Sequence, residues 1–180
     1  MYMYLSLFST LHLTIPFYKF KVDALRELNN TPTQFHLNAW AAICAFKVLY
    51  DVFSIILTAP KFLHHYNVKE NKKGGWISLI AFPVRRSLNP IPPCIKNLRV
   101  IFFRVCPGPE SLPIYFTQQR VPRFPFYWIS SPMTFIKKHV VYMSNLDQVD
   151  MIILHKLPRG LHCKTLVNLP FSKTLDVDLD

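Results

Sequence analysis

Residues 40–57 constrain this chain more than any other stretch, because WAAICAFKVLYDVFSIIL is interrupted only by Lys47, Asp51 and Ser54. A run of that length approaches what a membrane-spanning helix needs. The two charges decide the matter. Near the centre of a span each costs about 2.5–3.5 kcal/mol, against roughly 3–5 kcal/mol returned by all the strongly apolar residues of the run together. Lys47 and Asp51 stand four apart, which pairs them on one stripe of a helix in water, and Pro60 closes the run. The pattern therefore predicts a core helix and no membrane span. Asn38 is its expected N-cap, Trp40, Ile43, Phe46, Tyr50 and Phe53 its inner face, and Ile56 its approximate end.

The flanking sequence supplies partners for that helix. In residues 17–29, Phe17, Phe20, Ala24, Leu25 and Leu28 recur at helical intervals, with Lys19, Asp23, Arg26 and Glu27 off that stripe. Asn29, Asn30 and Pro32 stop this helix, and the two should pack as a helical hairpin. After Pro60 the grammar changes to short β-like runs divided by proline and glycine. Residues 76–82 and 98–105 read as strands, and 114–117 and 126–129 as shorter ones. Residues 72–75 and 106–109 read as turns, and 87–93, with three prolines, as an extended loop. Residues 145–157 read as a helix capped by Asn145, with Leu146, Val149, Ile153 and Leu157 facing inward. The order predicts an α+β fold: an N-terminal helical hairpin, a small, mostly antiparallel sheet in the middle and a C-terminal helix. One domain over residues 1–169 with a tail at 170–180 suits a chain of 180 residues.

Charge is the strongest functional signal. The chain carries 21 Lys and Arg against 10 Asp and Glu, a net +11. Residues 1–60 contribute +1, residues 61–138 contribute +11 and residues 139–180 contribute −1. A block of this kind attracts polyanions, nucleic acid above all. Four cysteines, at 44, 94, 106 and 163, form no C-x-x-C pair and write no zinc site; Cys44 reads as a small core residue. Residues 1–17 lack a basic start and a small-residue cleavage site, so the expectation is an intracellular protein, nuclear or cytoplasmic, and not a secreted one.

From Pro16 onward the chain resembles the plant gypsy-type transposon domain family. The residues that carry the likeness are Pro32, Gln34, Phe35, His36, Leu37, Asn38, Ala39 and Trp40, followed by Ala45-Phe46. Next in the same order come Lys73-Gly74-Gly75-Trp76-Ile77-Ser78-Leu79, Lys96-Asn97 ahead of Phe102-Phe103-Arg104-Val105, Phe124-Pro125-Phe126-Tyr127-Trp128 with Pro132, and Leu157-Pro158-Arg159. The likeness runs over about residues 5–169. It departs from the pattern at Leu37, where the family has proline, and over residues 94–99. The resemblance implies a non-enzymatic part of a transposable element, with Pro32, Gln34, His36, Asn38, Trp40, Phe46, Gly75, Trp76, Phe126, Tyr127 and Trp128 as structural motif residues.

No residue pattern for catalysis, a cofactor, a small-molecule substrate or a resident metal stands out. Asp147 and Asp150 are the one close carboxylate pair outside the tail, short of what two-metal chemistry needs. His36 reads as a polar group at a helix start, and His64-His65 have no ligand partner at a useful spacing. Lys73-Gly74-Gly75 lacks the frame of a phosphate loop and reads as a hairpin turn. The constellation with chemical meaning is basic and aromatic: Lys72, Lys73, Arg85, Arg86, Lys96, Arg99, Arg104, Arg120 and Arg123 among Trp76, Phe102, Phe103, Phe124, Tyr127 and Trp128. Cations follow phosphates, and exposed rings stack on bases. Trp76 and Trp128 read as core anchors, however, and strand alternation sends one of Phe102 and Phe103 inward. The charges therefore carry the expectation of RNA or DNA binding. Its rivals are a gag-like self-assembly module and a decayed, truncated copy without function.

Overall fold

Left-handed residues end the first three helices, and a chain with four glycines must make these turns from other residue types. The computed structural model describes residues 1–15, 17–71, 75–82, 88–89, 101–106, 108–109, 112–130, 145–156 and 161–168. In it α1 (Leu5–Leu11) ends on His12 at φ 49°, α2 (Lys19–Leu28) on Asn29 at φ 49°, and α3 (Leu37–Val52) ahead of Ser54 at φ 52°. At the end of α3 the Ser54 amide donates to the Asp51 carbonyl (3.1 Å) and that of Ile55 to Tyr50 (2.9 Å). This pair of bonds satisfies the orphan carbonyls of the last turn and stops α3 short of residue 56. The predicted N-cap also shifts: His36 caps α3, its Nδ1 accepting from the Asn38 amide at 3.1 Å. Asn38 lies within the helix and half-buried.

The remaining elements follow as α4 (Ala59–Leu63), β2 (Tyr66–Asn71), β3 (Trp76–Ala81), the two-residue β4 (Leu88–Asn89), β5 (Phe102–Arg104), α5 (Leu112–Tyr115), α6 (Asn145–His155), β6 (Leu161–His162) and α7 (Cys163–Val167). A first strand, β1 (Tyr2–Tyr4), precedes α1. The class is α+β, as the order of elements predicts, with a C-terminal helix in α6. The strands form two-stranded ladders: β1 antiparallel to β5, β2 antiparallel to β3, and β4 parallel to β6. The β2–β3 hairpin is the longest, running from Tyr66↔Ala81 to Asn71↔Trp76. Residues 114–117 depart from expectation. One helical turn, α5, takes the first two of them, and of the others Phe116 makes a bridge, to Pro122. Of the predicted loop at 87–93 only residues 88 and 89 are described, and the tail at 170–180 lies outside the described residues.

Aromatic rings build the core. Phe46 on α3 meets Phe62 at 5.2 Å, Tyr66 at 5.8 Å and Tyr50 at 5.9 Å between centroids, and Phe17 lies on Trp40 at 5.5 Å. Trp40, Tyr50, Phe46 and Phe62 are fully buried. The first residues also belong here: Met3, Leu7, Leu11 and Leu13 are buried, and the Met1 ammonium donates to the Val105 carbonyl at 3.0 Å. Lys47 and Asp51 pair at 2.8 Å as their spacing predicts. No helix among the described residues is long and apolar enough to cross a membrane.

Helix α6 turns the other way from its hydrophobic pattern. Val149 (55% exposed) and Ile153 (40%) face out, while Met151 is buried and Asp147 and Asp150 face in. The reason is Lys61, whose side chain is 3% exposed and whose Nζ lies 2.8 Å from Asp147 Oδ1 and 2.6 Å from Asp150 Oδ2. A buried ammonium without a carboxylate costs about 3–5 kcal/mol. Val149 and Ile153, each only about half exposed, give up about half of the 1.5–3 kcal/mol that complete exposure of each would cost, roughly 1.5–3 kcal/mol together. The charge sets the helix's rotation.

Candidate nucleic-acid interface

Gln34 is the point at which distant parts of the chain meet. Pro32 opens the 3-10 turn Pro32–Gln34, where its fixed φ suits a first helical position. That turn places the Gln34 side chain in the interior, with no exposure. Its Nε2 donates to the carbonyls of Ile129 (2.6 Å) and Gly75 (3.3 Å), and its Oε1 accepts from the amides of Ile129 (3.1 Å) and Thr31 (3.3 Å). One side chain thus treats residue 129 as a neighbouring strand would, taking its N–H and C=O together. Residues 126–129, predicted as a strand, form none. At residue 129 an amide side chain satisfies the backbone in place of a ladder.

The other motif residues gather around this point. Trp40 Nε1 donates to the Pro32 carbonyl at 3.0 Å. The His36 amide donates to the Ile77 carbonyl at 2.7 Å, Phe35 bridges Ile77, and the His36 and Trp76 rings lie 5.0 Å apart. Gly75 sits at φ +63°, and its amide donates to the Asn71 carbonyl at 2.8 Å, closing the β2–β3 turn. A Cβ at this position would lie 3.0 Å from Trp128 Nε1 and 3.2 Å from its Cζ2. The indole of Trp128 therefore rests on the bare glycine backbone. Phe126 is half-buried against Phe116 and Phe124, each at 5.1 Å. Phe46 stands apart from this junction, in the aromatic core of α3.

Two expectations about the rings are overturned. Trp128 is 51% exposed and Trp76 only half-buried, so neither is a core anchor in the manner of Trp40. Tyr127 is 83% exposed. Phe102 and Phe103 do not alternate either: both are exposed, the first edge-on to Tyr2 at 5.9 Å and the second beside Phe8 at 5.2 Å. Cover falls on β1, where Met3 is buried, and not on the β5 edge of the ribbon. Phe124, by contrast, is buried against Phe17.

Of the basic residues singled out, Lys72, Lys73, Arg85, Arg86, Lys96 and Arg99 lie outside the described residues. Arg104 is exposed on β5 opposite Tyr2. Arg120 and Arg123 share a tight hairpin: the Thr117 amide donates to Val121 (2.8 Å), the Arg120 amide to Thr117 (2.9 Å), and the Arg123 amide to Tyr115 (2.8 Å). Arg120 sits in the left-handed region at φ 60° with its side chain in solvent. Arg123 Nε donates to the Phe116 carbonyl at 3.1 Å, which fixes the guanidinium against the hairpin. Residues 112–130, which hold these arginines and both exposed rings, contain no Asp or Glu.

A second polar site was missed from the sequence. The Lys61 Nζ spends its donors on Asp147, Asp150 and the Ile56 carbonyl at 2.9 Å. Burial alone would lower its pKa, but the hydrogen bonds and charges of the two aspartates prevail and hold it above its ordinary value. Both carboxylates are thereby committed to a cation of the chain itself. Beside them the buried Tyr50 phenol is pushed upward, by burial first and then by the charges of Asp150 and Asp147. Burial also raises the Tyr66 phenol and pushes the Cys163 thiol up to about 12. His64 and His65 are buried in α4's C-terminal turn, and no group of three His, Cys, Asp or Glu able to hold a metal occurs among the described residues. The i, i+3 spacing of Asp147 and Asp150 was the available signal, but their partner stands 89 residues from Asp150.

Comparison with family models, with curated proteins and with solved structures gives no match.

Proposed function

We propose that this chain is a non-enzymatic, transposon-derived domain that binds RNA or DNA through its basic middle third inside the cell. The observation that carries the reading is the distribution of charge: residues 61–138 hold a net +11, equal to that of the whole chain. Such a field recruits phosphate backbones with little regard to sequence. Arg104 and Arg120 stand in solvent, where they are available to a polyanion. The resemblance to the plant gypsy-type transposon domain supports the assignment of origin. Its motif residues from three separate segments, around 34, 75 and 128, converge on one hydrogen-bonded junction. The test is urea unfolding followed by tryptophan fluorescence, with and without a mixed-sequence RNA. Binding to the native state raises the midpoint, by about 2.7 kcal/mol of stability at a hundred times the dissociation constant, and less in high salt. An unmoved midpoint at every RNA concentration and at low salt would sink the reading.

A second reading, a gag-like self-assembly module, is favoured by a specific observation. Val52 at the end of α3, Phe53 and Ile56 after it, and Val149, Ile152 and Ile153 on α6 are all exposed. Lys61 bonds both the Ile56 carbonyl and Asp150, which holds α6 close to the residues that follow α3, each presenting apolar side chains on its face. Sedimentation velocity without nucleic acid separates the readings, since assembly through this face gives oligomers that grow with protein concentration.

A further inference from the structure

Resting on the nucleic-acid reading, we propose that Tyr127 and Trp128 form a stacking site for the unpaired bases of a single-stranded nucleic acid, with Arg120 and Arg123 along its phosphates. Two large rings on consecutive residues, 83% and 51% exposed, bury too little of themselves to be explained by folding. Trp128 is held from two sides. The backbone at residue 129 is clamped by both ends of the Gln34 amide, at 2.6 and 3.1 Å, and one edge of the Trp128 indole lies on Gly75, where no side chain intervenes. A ring held in solvent by a locked backbone loses little freedom when a ligand stacks on it, which is the property of a preorganised site. The partner follows from charge. The hairpin that continues into these rings carries Arg120 and Arg123 and no carboxylate among residues 112–130. A polyanion with accessible π faces meets both requirements. A duplex has its base faces already stacked, so a single strand fits better.

The test compares two fluorescein-labelled ligands for the full chain by anisotropy: a twenty-nucleotide oligothymidylate and an abasic oligomer of the same length and charge. Stacking on one ring is worth fivefold or more in affinity, by the range of about 1–3 kcal/mol per base. Oligothymidylate should therefore bind at least about fivefold more tightly than the abasic oligomer. Tyr127→Ala, at a position too exposed to unfold the domain, should remove much of that difference and leave the salt dependence alone, while Tyr127→Phe should keep it. Arg120→Gln with Arg123→Gln should weaken both ligands and reduce the salt slope by about 0.7 per charge. Equal binding of the two oligomers, or a Tyr127→Ala chain that still prefers oligothymidylate as wild type does, overturns the stacking site and leaves the electrostatic reading standing. Failure of both oligomers to bind at low salt overturns both.

Discussion

Replacing Gln34 by Leu keeps nearly the volume of the side chain and removes every one of its hydrogen bonds. Two of these are short, to the Ile129 carbonyl and from its amide, at 2.6 and 3.1 Å; the other two, with Gly75 and Thr31, are 3.3 Å. At about 1 kcal/mol for each short bond and about half that for each long one, the sum is about 3 kcal/mol. Residue 129 is half-buried and water can reach part of it, so we expect a loss of about 2–3 kcal/mol in unfolding free energy. With a urea dependence of about 2 kcal/mol per molar for a small protein, the midpoint should fall by about 1–1.5 M. The assay is urea unfolding by circular dichroism, with tryptophan emission recorded in parallel because Trp128 lies on the strand-like segment that Gln34 holds. Gln34→Glu sharpens the test: its carboxylate would face the carbonyl oxygens of Gly75 and Ile129 and should destabilise at neutral pH, with recovery on acidification as the protonated acid donates to one of them. A midpoint shift below about 0.3 M for Gln34→Leu, or a neutral effect of Gln34→Glu, would refute the clamp.

Other substitutions probe other parts. Lys61→Met should cost about 2–4 kcal/mol, since it leaves Asp147 and Asp150 facing each other while about a quarter exposed or less. Adding Asp147→Asn and Asp150→Asn should restore part of the loss, measurable as a double-mutant cycle in urea. Gly75→Ala should cost about 1–3 kcal/mol, from its left-handed backbone and from the indole 3.0 Å away, and should shift Trp128 emission. Stability should fall on the alkaline side. The Lys61, Tyr50, Tyr66 and Cys163 groups all hold their protons more tightly folded than unfolded. Their contribution is complete below the unfolded pKa values and is lost as pH rises from about 8.5–10.5, which pH-dependent urea midpoints will show. Arg85→Ala with Arg86→Ala should weaken RNA binding and flatten its salt slope, read by anisotropy across a salt series.

Periodicity was a sound guide wherever a long element buried a continuous apolar face. The stripe Phe17, Phe20, Ala24, Leu25, Leu28 is buried as predicted, and so is the face Trp40, Ile43, Phe46, Tyr50 except for its last member, Phe53, which lies beyond the end of α3 and is exposed; β3 lies within the predicted 76–82. It failed where a single long-range polar contact outranked local preference. Nothing near residues 126–129 announces that Gln34, some 95 positions away, will satisfy the backbone of Ile129. The face of α6 was misjudged because its apolar residues outnumber two aspartates whose partner is a lysine on α4. Trp128 was taken for core because tryptophan usually is. Its place on Gly75 depends on two residues far apart in sequence. The candidate interface was legible as composition, in its arginines and aromatic residues, but not as exposure.

The pairing of β1 with β5 carries a consequence for how the chain is made. Tyr2, Met3 and Tyr4 are made well before the residues that complete them, Phe102 to Arg104, which come about a hundred positions later. At about 5–20 residues per second, the first strand waits some 5–20 s without its partner. During that time the backbone of β1 is without its ladder partner, although α1 can already meet α3. The strand is among the later segments to finish its contacts, and its unpaired edge is open to capture by a chaperone during synthesis.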